Sequence, residues 1–142
     1  MNPDQTNTRQ GNFPAITTVD LTGLRSRLLE INSVSGVLNV NLPNANGDHA
    51  LYQAEEEGLA GTQVDVYPLV PGEQRRLVLK GTCVSGDLLV NADVAVTADK
   101  GKVRVLPVTT GTYRVIAIAE ESGIDLQHVK ARIAPIGLIV VP

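Results

Sequence analysis

The residues best suited to acid–base chemistry form two short runs of carboxylates. Glu55, Glu56 and Glu57 follow one apolar stretch, and Glu120 and Glu121 follow another. A glycosidase would need two such groups facing each other across a cleft. Because each run connects segments that we predict to be strands, we interpret the glutamates as solvated connectors and expect no catalytic residues and no enzyme. The alternative, a small β-barrel enzyme using these clusters, predicts saturable turnover that Glu120→Gln abolishes.

Histidine and cysteine are too sparse for a metal or redox site. His49 and His128 stand alone, each near one aspartate, and their spacing does not resemble a zinc site or a facial triad. Cys83 is the chain's one cysteine, so no intramolecular disulfide can form, and its apolar neighbours predict a buried packing role. GxGxxG, P-loop and GxSxG motifs are absent from the sequence. We therefore expect no metal and no cofactor.

Composition argues against several classes of partner. With a net charge of −3 and only 12 Lys and Arg, the chain has few basic residues from which to form a nucleic-acid-binding face. Aromatic residues make up 3% and Trp is absent, which disfavours stacking platforms for bases or sugars. No apolar run approaches the roughly 18 residues of a membrane span, and the first residues do not resemble a signal peptide. We expect no nucleic acid, no membrane, and synthesis in the cytoplasm.

Strand signals dominate the chain and are cleanest in residues 101–142. Val103 and Val105 alternate with charged residues, as in a strand with one buried face. Residues 113–119 are almost continuously apolar and rich in β-branched side chains; the surrounding strand signals favour a buried strand over a buried helical turn. Further strands are predicted at residues 24–31, 37–42, 49–54, 63–70, 77–79, 88–91, 94–97, 129–133 and 136–141, and residues 82–84 lead into a turn at 85–87. A short helix remains an alternative for residues 24–31. About ten short strands predict an all-β barrel or sandwich.

The sequence of the first half of the chain is weakly repeated 64 or 65 residues later, and we call this internal similarity the sequence echo. The matches are Gly36 with Gly101, Leu42-Pro43 with Leu106-Pro107, Gly47 with Gly111, and Ala54, Glu55, Glu56 and Gly58 with Ala119, Glu120, Glu121 and Gly123. Repeats of this kind indicate duplicated supersecondary units. We predict a β body of residues 20–142 built from two pseudo-repeated modules, about 20–70 and 73–142, separated by a turn at Pro71-Gly72. Chance similarity of two β-rich segments is the alternative.

Residues 1–19 differ from the rest in being rich in Asn, Gln, Thr and Pro. Such a composition cannot build a core, so we predict an extended N-terminal arm. The arm contains Phe13, the chain's one Phe, close to Pro14 and Ile16. Extended backbone with an aromatic anchor could add a strand to a partner's sheet edge. The alternative is a tail without a binding role.

Six segments follow one another along the chain: the polar arm, DLTG at 20–23, GTCVSGDLLV at 81–90, GKV at 101–103, VIAIAE at 115–120 and the apolar final strand. Taken in this order, they resemble the capsid decoration (head-stabilising, cement) proteins of tailed bacteriophages. The resemblance covers most of residues 20–141. Ala117 stands where the family often has glycine, and residues 124–134 form a longer insertion before the last strand.

The resemblance implies a β-tulip-like body and a non-enzymatic structural protein on the exterior of the virion. Such a protein binds where major capsid protein subunits meet and stiffens the shell. It also implies self-assembly, with a homotrimer expected and a dimer as the second choice. Phe13, Pro14 and Ile16 are then the candidate capsid-contacting residues of the arm. Ile136, Leu138 and Val140 are candidates for the oligomer contact, with a plain core role as the alternative.

A binding module of a phage or bacterial tail or adhesion protein, recognising glycans, is the second functional class. The scarcity of aromatic residues counts against it, because sugar rings usually stack on such side chains.

Overall fold

The computed structural model of the chain describes residues 11–142, and the predicted all-β class is confirmed. The strands of this part are β1 (Phe13–Thr17), β2 (Leu28–Val34), β3 (Val37–Asn41), β4 (Tyr52–Ala54), β5 (Gln63–Pro68), β6 (Gln74–Val78), β7 (Leu88–Asn91), β8 (Val103–Val105), β9 (Gly111–Ala119) and β10 (His128–Val141). A single turn of 3-10 helix spans Thr97–Asp99. Within residues 11–142, no helix is long and apolar enough to cross a membrane.

The first five strands close into a barrel in the order β1-β3-β2-β4-β5. β1 closes it, because it pairs in parallel with β3 and antiparallel with β5. Val64 and Val66 of β5 are fully buried while Asp65 between them is not, which is the period expected of a half-buried strand. Their side chains pack with Leu29 and Val40 in the barrel core.

The last five strands form a second sheet in the order β6-β10-β9-β7-β8, and it repeats the connectivity of the barrel. The antiparallel pairs β6–β10, β10–β9, β9–β7 and β7–β8 match β1–β5, β5–β4, β4–β2 and β2–β3. The fifth pairing of the barrel, between β1 and β3, is reduced here to one parallel bridge from Leu79 to Val103. The second sheet is thus a half-barrel: it has the strand connectivity of the barrel but is open between β6 and β8. We call this gap the open seam.

Equivalent contacts occur at equivalent positions of the two sheets. Ala54 pairs with Val66 in the barrel, and Ala119 pairs with Ala131 in the half-barrel. The sequence echo aligns Ala54 with Ala119 at a spacing of 65, and Val66 and Ala131 are separated by the same number of residues. The descent of both sheets from one duplicated module of about 20–70 and 73–142 stays a prediction.

Side chains of the barrel fill the open seam of the half-barrel. Leu28, Ala50 and Leu69 belong to the same buried cluster as Leu79 and Val103. Main-chain contacts join the two sheets as well, since the Leu28 N–H donates to the Gly101 carbonyl at 2.8 Å. Residues of the barrel therefore complete the core of the half-barrel, whereas Leu29 and Val40 belong to a separate core inside the barrel.

Several predicted elements differ from those observed. Residues 94–96 form a turn instead of a strand, and Thr97 begins the 3-10 helix; residues 24–27 are a turn that precedes β2. Residues 82–84, predicted to lead into a turn, also form one isolated bridge, from Cys83 to Gly123. The two predicted final strands are one strand, β10, whose pairing with β9 shifts register between Ile133 and Gly137.

The predicted arm also requires correction within the described residues. Phe13–Thr17 is β1, an integral strand of the barrel, and Ala15 and Thr17 are buried in it. The polar composition misleads because a strand held between two neighbours satisfies its main-chain groups whatever its side chains are. Residues 1–10 of the predicted arm lie outside the described residues.

Candidate interaction surfaces

The glutamates of the two acidic runs stabilise strand ends. Glu56 accepts the Asp65 N–H at 2.6 Å, and at the equivalent place Glu121 accepts the Lys130 N–H at 2.9 Å. Glu120 accepts hydrogen bonds from the side chains of Gln74 and Arg132, and these lower its pKa. Glu55 pairs with Arg75. The contacts resolved for these four glutamates are thus with neighbouring strands.

The histidines and the cysteine occupy very different environments. His49 and His128 are exposed, and His128 is the first residue of β10. Cys83 is buried, its Sγ lies 3.6 Å from the Glu121 carbonyl oxygen, and burial raises the pKa of the thiol. In residues 11–142, no three His, Cys, Asp or Glu side chains are grouped to hold a metal ion.

Phe13 packs against the barrel core. Its half-buried ring meets Tyr52 edge to face, with ring centroids 5.8 Å apart. Pro14 and Ile16, on the same strand, are exposed. The structure thus places Phe13 in a barrel strand and not in a separate arm, and capsid contact by Phe13, Pro14 and Ile16 stays a prediction.

The C-terminal half of β10 presents an apolar face to solvent. Ile136, Leu138 and Val140 are 61%, 53% and 70% exposed, so the alternative of a plain core role does not describe them. Ile139 and Val141, which alternate with them, pack on a small cluster around Tyr113. Among the described residues, β10 pairs only with β9 from Gly137 onward. This part of β10 thus combines exposed aliphatic side chains with an unpaired strand edge, the usual features of a surface that adds strands.

A basic pocket lies at the junction of the barrel and the half-barrel, and sequence reasoning missed it. It has a volume of about 480 Å³ and is lined chiefly by arginine and amide side chains. Arg25 and Gln53 come from the barrel, whereas Arg75 and Arg76 come from β6. The sequence signals, RSR at 25–27 and QRR at 74–76, are separated by some fifty residues and meet only because the two sheets pack together.

Comparison with known proteins gives a structural likeness. No protein-family model and no curated protein matches the sequence. The structure is similar to the N base of the head fiber protein gp8.5 of bacteriophage phi29, with a TM-score of 0.66 and 18% sequence identity. The match covers 87% of this chain and 93% of the phage chain. At this identity, the likeness shows that the two proteins share a fold.

Proposed function

We propose that this chain is a non-enzymatic structural protein of a bacteriophage head, located on the capsid exterior. The observation that carries the proposal is the common fold with the base of a phage head fiber protein over nearly the whole length of both chains. The segments that resemble capsid decoration proteins support the same placement. In this proposal the partner is the major capsid protein, and the chain acts as a cement where its subunits meet.

The deciding experiment mixes the purified protein with undecorated capsids and measures how much sediments with them. A cement protein saturates at a fixed ratio to the capsid subunits, because the shell offers one class of repeated sites. It should also raise the temperature at which the capsids open. Sedimentation without saturation, or none at all, would reject the proposed role.

We further propose that the protein assembles as a homotrimer through the apolar face of β10. A cyclic trimer would match the threefold positions of a capsid and multiply weak contacts. Leu138 and Val140 supply side chains for such a contact, and the unpaired edge of β10 supplies main-chain hydrogen-bonding groups.

Leu138→Ser tests the trimer, because it places a hydroxyl in the proposed contact without removing a buried side chain. We expect light scattering to show a trimer for the original chain and a monomer for the variant, with an unchanged melting temperature. Leu59→Ser is the matched control, since Leu59 is a similarly exposed leucine on the barrel. A monomer at high concentration before any substitution would contradict the trimer.

A further inference from the structure

We propose that the pocket at the junction of the two sheets binds an oxyanion, the carboxylate or phosphate group of a ligand. This inference goes beyond the structural role and does not depend on it. The pocket is built from residues of both sheets, so its geometry exists only in the folded chain. Arg25, Ser26 and Gln53 come from the barrel side, and Arg75, Arg76 and His128 from the half-barrel side.

The floor of the pocket is a buried amide held in one orientation. The Gln53 Nε2 donates to the Ser26 carbonyl at 3.0 Å and to the Arg76 carbonyl at 2.7 Å. Its Oε1 accepts from Arg75 Nε at 3.0 Å and Nη2 at 2.7 Å. With all these bonds made, the floor is rigid and fixes the guanidinium of Arg75.

The charges of the pocket do not balance. Three guanidinium groups line it against the single carboxylate of Glu55, although the chain as a whole is acidic. Arg75 is neutralised, since it pairs with Glu55 and lies over the Tyr67 ring at 3.8 Å. Arg76 reaches the Glu121 carboxylate only at 3.5 Å. Arg25 is exposed and makes no hydrogen bond or ion pair within residues 11–142. Positive charge therefore remains available to a ligand.

Ser26 adds an unused donor held by strained backbone. Its φ is 70°, in the left-handed region that favours glycine. The equivalent residue of the half-barrel is a glycine, Gly86: the Ser26 N–H donates to the Ala54 carbonyl and the Gly86 N–H to the Ala119 carbonyl, each at 2.8 Å. A glycine would thus satisfy the fold at residue 26. Serine instead provides a hydroxyl that lines the pocket and has no hydrogen-bond partner among the described residues. A residue other than glycine with a positive φ is often found at a binding site.

The chemistry of these groups defines the ligand class. Guanidinium and hydroxyl donors predominate, so the complementary group carries several acceptor oxygens and negative charge. The planar fork of arginine suits carboxylates and phosphates alike. An acidic side chain of a protein partner and a phosphate ester share this chemistry.

Titration calorimetry of the full chain at low salt tests the site with two probes, glutarate and inorganic phosphate. At least one probe should bind in about the millimolar range, as expected for a small ligand held by few contacts, and the binding should weaken as salt is added. Glutaramide, the uncharged analogue of glutarate, should not bind. Tighter binding of glutarate would assign the pocket to carboxylates, and tighter binding of phosphate would assign it to phosphate groups.

Three variants locate the binding. Arg25→Gln should weaken it about tenfold or more, the effect of losing one charge-assisted hydrogen bond. Ser26→Gly should weaken binding while leaving the melting temperature equal or higher, because it removes the hydroxyl and relieves the backbone. Lys80→Gln is the control, an exposed cation outside the pocket with the same change of charge. Absence of binding by both probes, or equal losses in Arg25→Gln and Lys80→Gln, would overturn the proposal.

Discussion

At the scale of single residues, the environment of Glu30 differs strongly from that of a free carboxyl. Burial, followed by the hydrogen bond with Asp48 and the charge of Asp48, raises its pKa from 4.5 to about 7. The Asn44 side-chain amide donates to Glu30 at 3.2 Å, and Lys100 reaches the same Asn44 at 3.1 Å. The carboxyl groups of Glu30 and Asp48 therefore lie close together, with little positive charge nearby to offset their repulsion.

This pair predicts that stability falls as the pH rises. Between about 4.5 and 7 the folded chain holds the Glu30 proton more tightly than the unfolded chain, so the free energy of unfolding decreases as pH increases across this window. Urea denaturation at a series of pH values should show this decline. Glu30→Gln should flatten it, whereas Glu57→Gln, at an exposed position without a resolved partner, should not. A decline that survives in Glu30→Gln would assign the effect to another group.

Two equivalent glycines make a second prediction at this scale. A Cβ at Gly58 would lie 2.6 Å from Val64 Cγ1, and a Cβ at Gly123 would lie 2.3 Å from Val129 Cγ1. Both valines are fully buried, so Gly58→Ala and Gly123→Ala should each lower the free energy of unfolding by about 1 to 3 kcal/mol. Gly47→Ala is the control, because its Cβ would meet only Leu138 at an ordinary 3.5 Å. Unaltered urea midpoints for the first two variants would contradict this packing.

At the scale of elements, β1 decides whether the barrel exists. It pairs with β3 on one side and β5 on the other, so its removal opens the barrel and leaves two edges unpaired. Deleting residues 1–19 should therefore abolish cooperative thermal unfolding of the barrel. Deleting residues 1–10 retains every described contact and should leave the melting curve in place. A stable fold after the longer deletion would restore the idea of a separable arm.

The alternation of apolar and polar residues predicted those strands whose burial follows from their own sequence. Val64 and Val66, or Val103 and Val105, alternate with polar residues, and their burial or half-burial follows from that period. The same rule fails in β3, where Asn39 is 5% exposed and Leu38 is 44% exposed. Asn39 lies in the central part of the barrel wall and satisfies its amide by donating to the Val37 carbonyl at 2.8 Å, whereas Leu38 lies near the hairpin tip beyond the core.

The candidate sites were less predictable than the strands because they depend on pairing between distant segments. Ile136, Leu138 and Val140 could be named from their alternation, but their exposure depends on β10 extending past β6. The role of Phe13 depends on two partner strands far along the chain. The basic pocket requires that Arg25 and Arg76 approach across the junction of the two sheets. No periodicity within one segment carries that information.

At the scale of the whole molecule, the two sheets differ in how their cores are completed. The barrel core consists of residues of the barrel alone, among them Leu29 and Val40. The core of the half-barrel includes Leu28, Ala50 and Leu69, which the barrel inserts into the open seam. The barrel should therefore be able to fold by itself, whereas the half-barrel needs the barrel to bury its apolar interior.

Fragments cut at the turn between the sheets test this asymmetry. Residues 1–70 alone should give a dispersed NMR spectrum and cooperative unfolding, and residues 71–142 alone should remain unfolded or aggregate. Mixing the two should restore a folded complex that co-elutes in gel filtration. Cooperative unfolding of residues 71–142 alone would contradict the dependence on the barrel.

Leu28 and Leu29 provide a matched pair for the same experiment, since these adjacent and fully buried residues of β2 point to different cores. Truncating either should cost about 2 to 5 kcal/mol, as is usual for a buried leucine. In fragment 1–70, however, Leu29→Ala should destabilise the barrel itself. Leu28→Ala should leave the fragment folded and weaken only its association with residues 71–142, because Leu28 fills the seam of the half-barrel. Equal effects of both substitutions on the isolated fragment would show that the barrel does not have a core of its own.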